Sequence, residues 1–328
     1  MKKTWATGWR WLDPRTGLAG WVGLPRPCSS PLDDGPKTSV GKVTEIATQY
    51  PDLPFAYFDS VILPRHDLRK LAKLGPVASQ QKNMILTKGA LHGVSKSSLQ
   101  IPNTSTTAIP PAMLHRLSKG IGSREVFALF IGHPTSQCPW SLHDAEILAK
   151  EMLSLSKVWG HYLLVEFSQK TPALWKKGIL KTLASEPTIQ KRVWAWDGQG
   201  NDPHMEILSL ADRFVITADD PITVSEALTT EKPVYVHAPE RCVNGPLKDF
   251  HRILRTSGHT RRFRLVHALD RESVSDPYAG IGTWPAWAPF LPSGQGSEVS
   301  MVATRIHQMQ ADRQMEHKRR IREAKSTS

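Results

Sequence analysis

The chain is short of cysteine, of long apolar runs and of acidic charge. Its 328 residues include only 3 cysteines, Cys28, Cys138 and Cys242, far apart and odd in number. That count predicts no disulfide framework and fits a reducing compartment. No stretch approaches the ~18 consecutive apolar residues of a membrane-crossing helix. The opening Met1-Lys2-Lys3 imitates a secretion signal, but Arg10, Asp13 and Arg15 interrupt any apolar core behind it. The expected location is cytoplasmic, with peripheral attachment to a membrane as the variant. There is no C-x-x-C, no H-E-x-x-H and no metal-type spacing among the 13 histidines, so no metal is expected. The absence of G-x-G-x-x-G and of a Walker loop argues against a nicotinamide dehydrogenase and a P-loop NTPase.

Hydrophobic content of 40% and charged content of 22% exclude general disorder and allow a sizeable core. The acidic shortfall leaves a net charge of +12, and it is local. Segments 1–26, 249–271 and 313–325 each carry +4, so the remainder is neutral. Such runs suit an acidic membrane surface or an acidic protein partner, and equally a solvated face. No helix-turn-helix, zinc module or RRM-like aromatic motif accompanies them, so specific nucleic-acid binding is not expected.

Regular structure is legible from about Val43. Short apolar runs ended by Pro, Gly or Asp predict strands at 58–63, 83–87, 126–131, 162–167, 193–196, 213–217 and 233–236. Apolar positions at helical spacing predict helices at 142–155, 172–183, 205–211, 222–228 and 299–322, the last with a frayed tail. Ser141 and Asp144 have the spacing of a capping box. Strand and helix alternate with tight loops from 126 onward, which predicts a parallel sheet covered on both faces. Residues 97–122 read as a connection, and 278–296 as a Trp/Pro/Gly loop. Four units follow: a poorly ordered segment (1–42), a reduced N-terminal half with its connection (43–122), a C-terminal Rossmann-like domain (123–298), and a helix with a basic tail (299–328).

In such a sheet, ligands bind beyond the carboxyl ends of the strands. That rule selects the loops at Gly132, at Ser168-Gln169-Lys170-Thr171, at Asp197-Gly198-Gln199-Gly200, and at Asp219-Asp220. The last leads into a helix whose free N–H groups suit a phosphate. Thr223 and Ser225 lie in its first turns, and Glu226 could accept hydrogen bonds from ribose hydroxyls. Ser168, Thr171 and Lys170 could meet a phosphate. Each of these has a plainer reading as a helix cap or a solvated side chain. His66 and His92 each follow a predicted strand and are candidates for a general base.

Six stretches carry a resemblance in the same order: FDSVILPRHD (58–67), NMILTKGALHGV (83–94), LFIGHP (129–134), LLVEFSQKTP (163–172), residues 193–236, and KDFHRILRTSGHTRRF (248–263). Together they resemble the mitochondrial fission (elongated-mitochondria) family. The resemblance implies an α/β, GT-B-like fold of two Rossmann-like halves with parallel sheets, the N-terminal half reduced here. TVSEALTTEKPVYV (223–236) is similar to the donor-binding helix of the lipid-II-forming glycosyltransferase, which implies Glu226 on the ribose of a UDP-type nucleotide sugar. No other cofactor is implied. If active, the protein would be a metal-independent glycosyltransferase. The plant members of the family are adaptors that help recruit a dynamin-related protein to the outer mitochondrial membrane, which implies the alternative of a non-enzymatic adaptor. Where the family pattern has Asp-Ser, this chain has Asp219-Asp220, a negative charge where a pyrophosphate would lie.

Overall fold

The computed structural model describes residues 10–12, 19–21, 46–47, 55–67, 81–99, 107–118, 124–196, 198–263, 287–291 and 297–326. Most of segment 1–42 and of loop 278–296, and Asp197, lie outside the described residues. The chain divides into two compact units, Met1–Thr87 with Val302–Ser328, and Lys88–Met301.

In the first unit, β1 (Arg10–Leu12) and β2 (Ala19–Trp21) pair antiparallel. A parallel sheet follows, in the order β3 (Ile46–Ala47), β4 (Ser60–Pro64), β5 (Met84–Thr87). Val61, Ile62 and Leu63 of β4 are all buried, the continuous apolar pattern of a strand covered on both faces. Asn83 donates to the carbonyls of Phe55 and Phe58 at 2.8 and 2.9 Å, which fastens the turn before β4 to the start of β5.

The second unit contains α1 (Pro111–Ser118), β6 (Val126–Ile131), α2 (Leu142–Trp159), β7 (Tyr162–Phe167), α3 (Ala173–Leu183) and β8 (Val193–Ala195). It continues with α4 (His204–Leu210), β9 (Arg213–Thr217), α5 (Pro221–Thr229), β10 (Val234–His237), α6 (Pro246–Thr256) and β11 (Arg261–Arg262). These strands form one six-stranded parallel sheet in the order β8-β7-β6-β9-β10-β11. Alternate side chains point to opposite faces. Phe127, Leu129, Ile131, Leu163, Val165 and Val215 pack under α2 and α3, against Leu148, Met152 and Ile179. Ala128, Phe130, Leu164, Phe214, Ile216 and Val236 pack under the later helices, against Ile207, Val224, Leu228 and Phe250. α2 and α3 thus cover one face, and α4, α5 and α6 together with α1 cover the other. This is the doubly wound Rossmann-like arrangement, with its switch point between β6 and β9.

Local sequence explains the helix ends. Ser141 accepts from the Asp144 N–H at 3.2 Å while its own N–H donates to Asp144 Oδ2 at 2.8 Å, a complete capping box. Arg241 adds two hydrogen bonds to Asp144 Oδ1, at 3.1 and 2.8 Å. Gly160 ends α2 in the left-handed conformation at φ 78°.

Three readings are corrected. The connection at 97–122 contains α1, begun by Pro111 and held by buried Met113 with Leu114 and Leu117 against the core. The final helix, α7 (Glu298–Ser326), continues through its charged tail, where Glu316–Arg320 and Arg319–Glu323 pair one turn apart. Cys138 and Cys242 form a disulfide, their Cα atoms 3.9 Å apart across a sequence separation of 104. The loops after β6 and β10 converge at the same end of the sheet, and sequence distance hides that proximity.

At the switch point the end of β6 meets Asp219. The Gly132 N–H donates to Thr217 Oγ1 and the His133 N–H to Asp219 Oδ2, both at 2.8 Å. A Cβ built on Gly132 would collide with Asp219 Oδ2. Gly132→Ala is therefore expected to destabilise the fold by about 1–3 kcal/mol through overpacking. A lowered urea midpoint at unchanged slope would show this, whereas an unchanged midpoint would mean that the loop yields freely.

Candidate functional site

The carboxyl end of the six-stranded sheet brings four kinds of side chain together. The first is the Asp219-Asp220 pair between β9 and α5. Asp219 is buried, with a side chain only 1% exposed. Burial pushes its carboxyl pKa up, against hydrogen bonds from His133 and Thr217. Its Oδ1 meets no hydrogen-bond partner among the described residues. Asp220 is the N-cap of α5: its Oδ1 accepts from the N–H groups of Ile222 and Thr223 at 3.1 and 3.0 Å, and its Oδ2 from Thr223 Oγ1 at 2.7 Å. The N–H groups that would suit a phosphate are thus already satisfied by a carboxylate.

The second group is hydroxyls used inside the fold. Thr171 Oγ1 donates to the carbonyls of Ile131 and Gly132 at 3.0 and 2.7 Å. Ser225 Oγ accepts from the Ala90 N–H at 2.9 Å and donates to the Pro221 carbonyl at 2.7 Å, closely packed on Gly89. Ser168 Oγ accepts from the Lys170 N–H at 3.3 Å, and the Lys170 side chain is exposed.

The third is an ionised cluster. His204, the first residue of α4, lies between Glu166 of β7 and Glu226 of α5. Its Nδ1 is 3.0 Å from Glu166 Oε1, and its Nε2 is 2.8 Å from Glu226 Oε2. Phe130 covers the ring at 5.1 Å between centroids. Burial alone would lower the His204 pKa, but hydrogen bonds and charges from Glu166 and Glu226 reverse that and raise it to about 10. A carboxylate acceptor at each ring nitrogen favours the imidazolium form, in which both N–H groups donate.

The fourth is an open pocket of about 340 Å³ at the end of β8, lined by Ala108, Trp194, Ala195, Trp196, Gln199 and Gly200. The Trp196 N–H donates to the Val165 carbonyl at 2.9 Å, and its Nε1 to the Gln199 carbonyl at 2.8 Å, which fixes the indole beside the strand that carries Glu166.

The two candidate bases lie in different units. His92 is buried in the second unit, its Nδ1 accepting from the Val94 N–H at 3.2 Å and its Nε2 3.3 Å from Thr229 Oγ1. Burial lowers its pKa, against the pull of Glu226. His66 is half-buried in the turn Arg65–Asp67, which follows β4 in the first unit. Gly132, Thr171, Asp219, Asp220, Thr223, Ser225 and Glu226 all gather around the switch point. Glu166, His204 and Trp196 were missed. A lone carboxylate in the apolar strand Tyr162–Phe167 was the available signal for Glu166.

A doubly wound parallel α/β unit with this strand order defines a Rossmann-like class of fold. The chain belongs to the family described as mitochondrial fission ELM1, whose model matches residues 32–282. The mitochondrial fission protein ELM1 of Arabidopsis thaliana is 30% identical over 235 residues, 66% of this chain and 51% of its own length. An uncharacterised protein of Rickettsia prowazekii is 27% identical over 203 residues, 58% of this chain and 56% of its own length. The chain therefore spans about half the length of the curated relatives it matches. A solved glycosyltransferase structure from Rickettsia africae aligns over 73% of this chain and 60% of its own, with 13% identity and a TM-score of 0.34. The fold assignment rests on strand order.

The His204 cluster sets a pH dependence. The folded value is raised from 6.5 to about 10, so the stability it contributes is complete below pH 6.5 and is lost as pH rises through 10. Urea titrations across that window should show wild type losing stability relative to His204→Gln. Parallel pH curves for the two proteins would rule out the imidazolium.

Proposed function

We propose that the second unit binds a UDP-type nucleotide-sugar-like ligand at the switch point, held mainly through its ribose by Glu226. One observation carries the reading: Glu226 has one carboxylate oxygen engaged by His204 at 2.8 Å, which fixes the group at the carboxyl end of a doubly wound sheet. The resemblance of residues 223–236 to a donor-binding helix agrees with it. The Trp194/Trp196 pocket offers an aromatic wall for the base. If sugar transfer follows, it would be metal-independent, and of the two candidate bases His92 has both ring nitrogens engaged within the fold.

Differential scanning fluorimetry against UDP-, GDP- and ADP-sugars tests this. A stabilising shift with UDP-sugars is expected, abolished in Glu226→Ala. No shift with any nucleotide sugar at millimolar concentration would sink the reading.

Asp220 favours a second reading, a non-enzymatic adaptor whose site is vestigial. Its carboxylate takes the α5 N–H groups and adds a charge that repels a diphosphate. The exposed α7 with its basic stretch 313–325 then supplies a docking surface for an acidic membrane or partner. No helix among the described residues is long and apolar enough to cross a membrane. Asp220→Ser separates the two readings. It keeps a cap and removes a charge worth about 1 kcal/mol, so UDP affinity should rise roughly fivefold. If the variant binds UDP no better than wild type does, the charge is not what limits the site. For the adaptor, charge reversal in 313–325 should abolish co-sedimentation with anionic vesicles, and unchanged sedimentation would remove that role.

A further inference from the structure

The cluster Glu166–His204–Glu226 is more elaborate than a helix start requires. α4 has no side-chain cap, and the His204 N–H is already met by Asp202 Oδ1 at 3.0 Å. The imidazole is not needed for capping and bridges two carboxylates on separate elements instead. Glu166 reaches it from β7 at 3.0 and 3.2 Å, and Glu226 from α5 at 2.8 Å. Phe130 of β6 closes one side of the ring. Nearby, Glu206 of α4 is tied to Thr107 Oγ1, and His92 is tied to Thr229, so neither competes for the bridge.

A lone glutamate side chain rotates freely and loses conformational entropy on ordering. A glutamate whose Oε2 is fixed has its second oxygen aimed before any ligand arrives. Fixing the partner imidazole at its far side by Glu166 removes the remaining freedom, as supporting groups do for a metal-bound histidine.

We propose that His204, anchored by Glu166, is the positioning residue that presents Glu226 to a ribose cis-diol, and so sets a preference for ribonucleotides over deoxyribonucleotides. The inference rests on the nucleotide reading above. His204 touches no ligand itself: both its N–H groups are spent on carboxylates, so it acts only through Glu226.

The test is a cycle of dissociation constants for UDP and 2′-deoxy-UDP, measured by calorimetry on the full chain. Wild type is expected to prefer UDP by about tenfold or more, the loss expected when a hydroxyl bonded to a charged group is deleted. His204→Ala should bind UDP more weakly and show a preference near unity. His204→Gln, with one amide donor, should recover part of it. Glu166→Gln leaves His204 and Glu226 in place, and should also reduce the preference. A merely structural role for His204 would weaken both nucleotides alike and leave their ratio unchanged. If folded His204→Ala and Glu166→Gln keep the wild-type ratio, the positioning role is overturned while nucleotide binding stands. If wild type binds both nucleotides equally, Glu226 does not read the ribose and the inference falls with nucleotide binding intact. If wild type binds neither, both readings fall together.

Discussion

The close approach of β6 and β9 at Asp219 governs the second unit. These neighbours lie where the strand order reverses, so their ends must spread for a ligand to enter. Here a carboxylate fills that gap. Asp219 takes the His133 N–H, leaves no room for a side chain at 132, and is raised in pKa by its burial. A buried carboxyl group with one oxygen unmet is costly. β6 pairs with β7 over its full length and with β9 over four residues, so neither strand can shift without breaking the centre of the sheet.

The parallel α/β architecture was legible because a strand buried on both faces is written as an unbroken apolar run. Val126–Ile131 is such a run, Tyr162–Phe167 is one apart from Glu166, and Arg213–Thr217 carries Phe214-Val215-Ile216 between polar ends; each forms a strand where it was read. The capping box at Ser141 and Asp144 was equally plain, since both partners sit within one turn. Features that depend on distant segments were not legible. α1 rests on Met113 reaching a core built by strands further along the chain. β11 is two residues long and exists only through its pairing with β10. The Cys138–Cys242 bond joins loops that meet because β6 and β10 run parallel.

The candidate site divides along the same line. Glu226 and the Asp219-Asp220 pair stand close in sequence on one loop and helix, so chain-end rules and a resemblance found them. His204 is separated from Glu166 by 38 residues and from Glu226 by 22, and nothing in local spacing marks it as their bridge. Hydroxyls such as Thr171 and Ser225 have the types and loops that suggest phosphate contact. The fold uses them for its own carbonyls and amides, a competition that only three-dimensional placement settles.

The charge arrangement then limits what this site can hold. A helix N-terminus favours an anion because its N–H groups are unmet and its dipole is exposed. In α5 the Asp220 carboxylate consumes both contributions, and Asp219 adds a second carboxyl within the same crevice. The Glu166–His204–Glu226 cluster is itself net negative, one imidazolium against two carboxylates. Among the described residues, the crevice around Asp219, Asp220 and Glu226 is therefore rich in acceptors. Neutral donors such as sugar hydroxyls match that surface better than phosphate oxygens do, and so the physical case for the ribose contact is stronger than the case for a pyrophosphate contact. The excess positive charge of the chain sits in 1–26, 249–271 and 313–325, and among the described residues of the second segment Arg252 and Arg262 pair with Asp249 and Glu240 rather than with the carboxylates of the site. The proposed ligand would therefore be met at its hydroxyl face first.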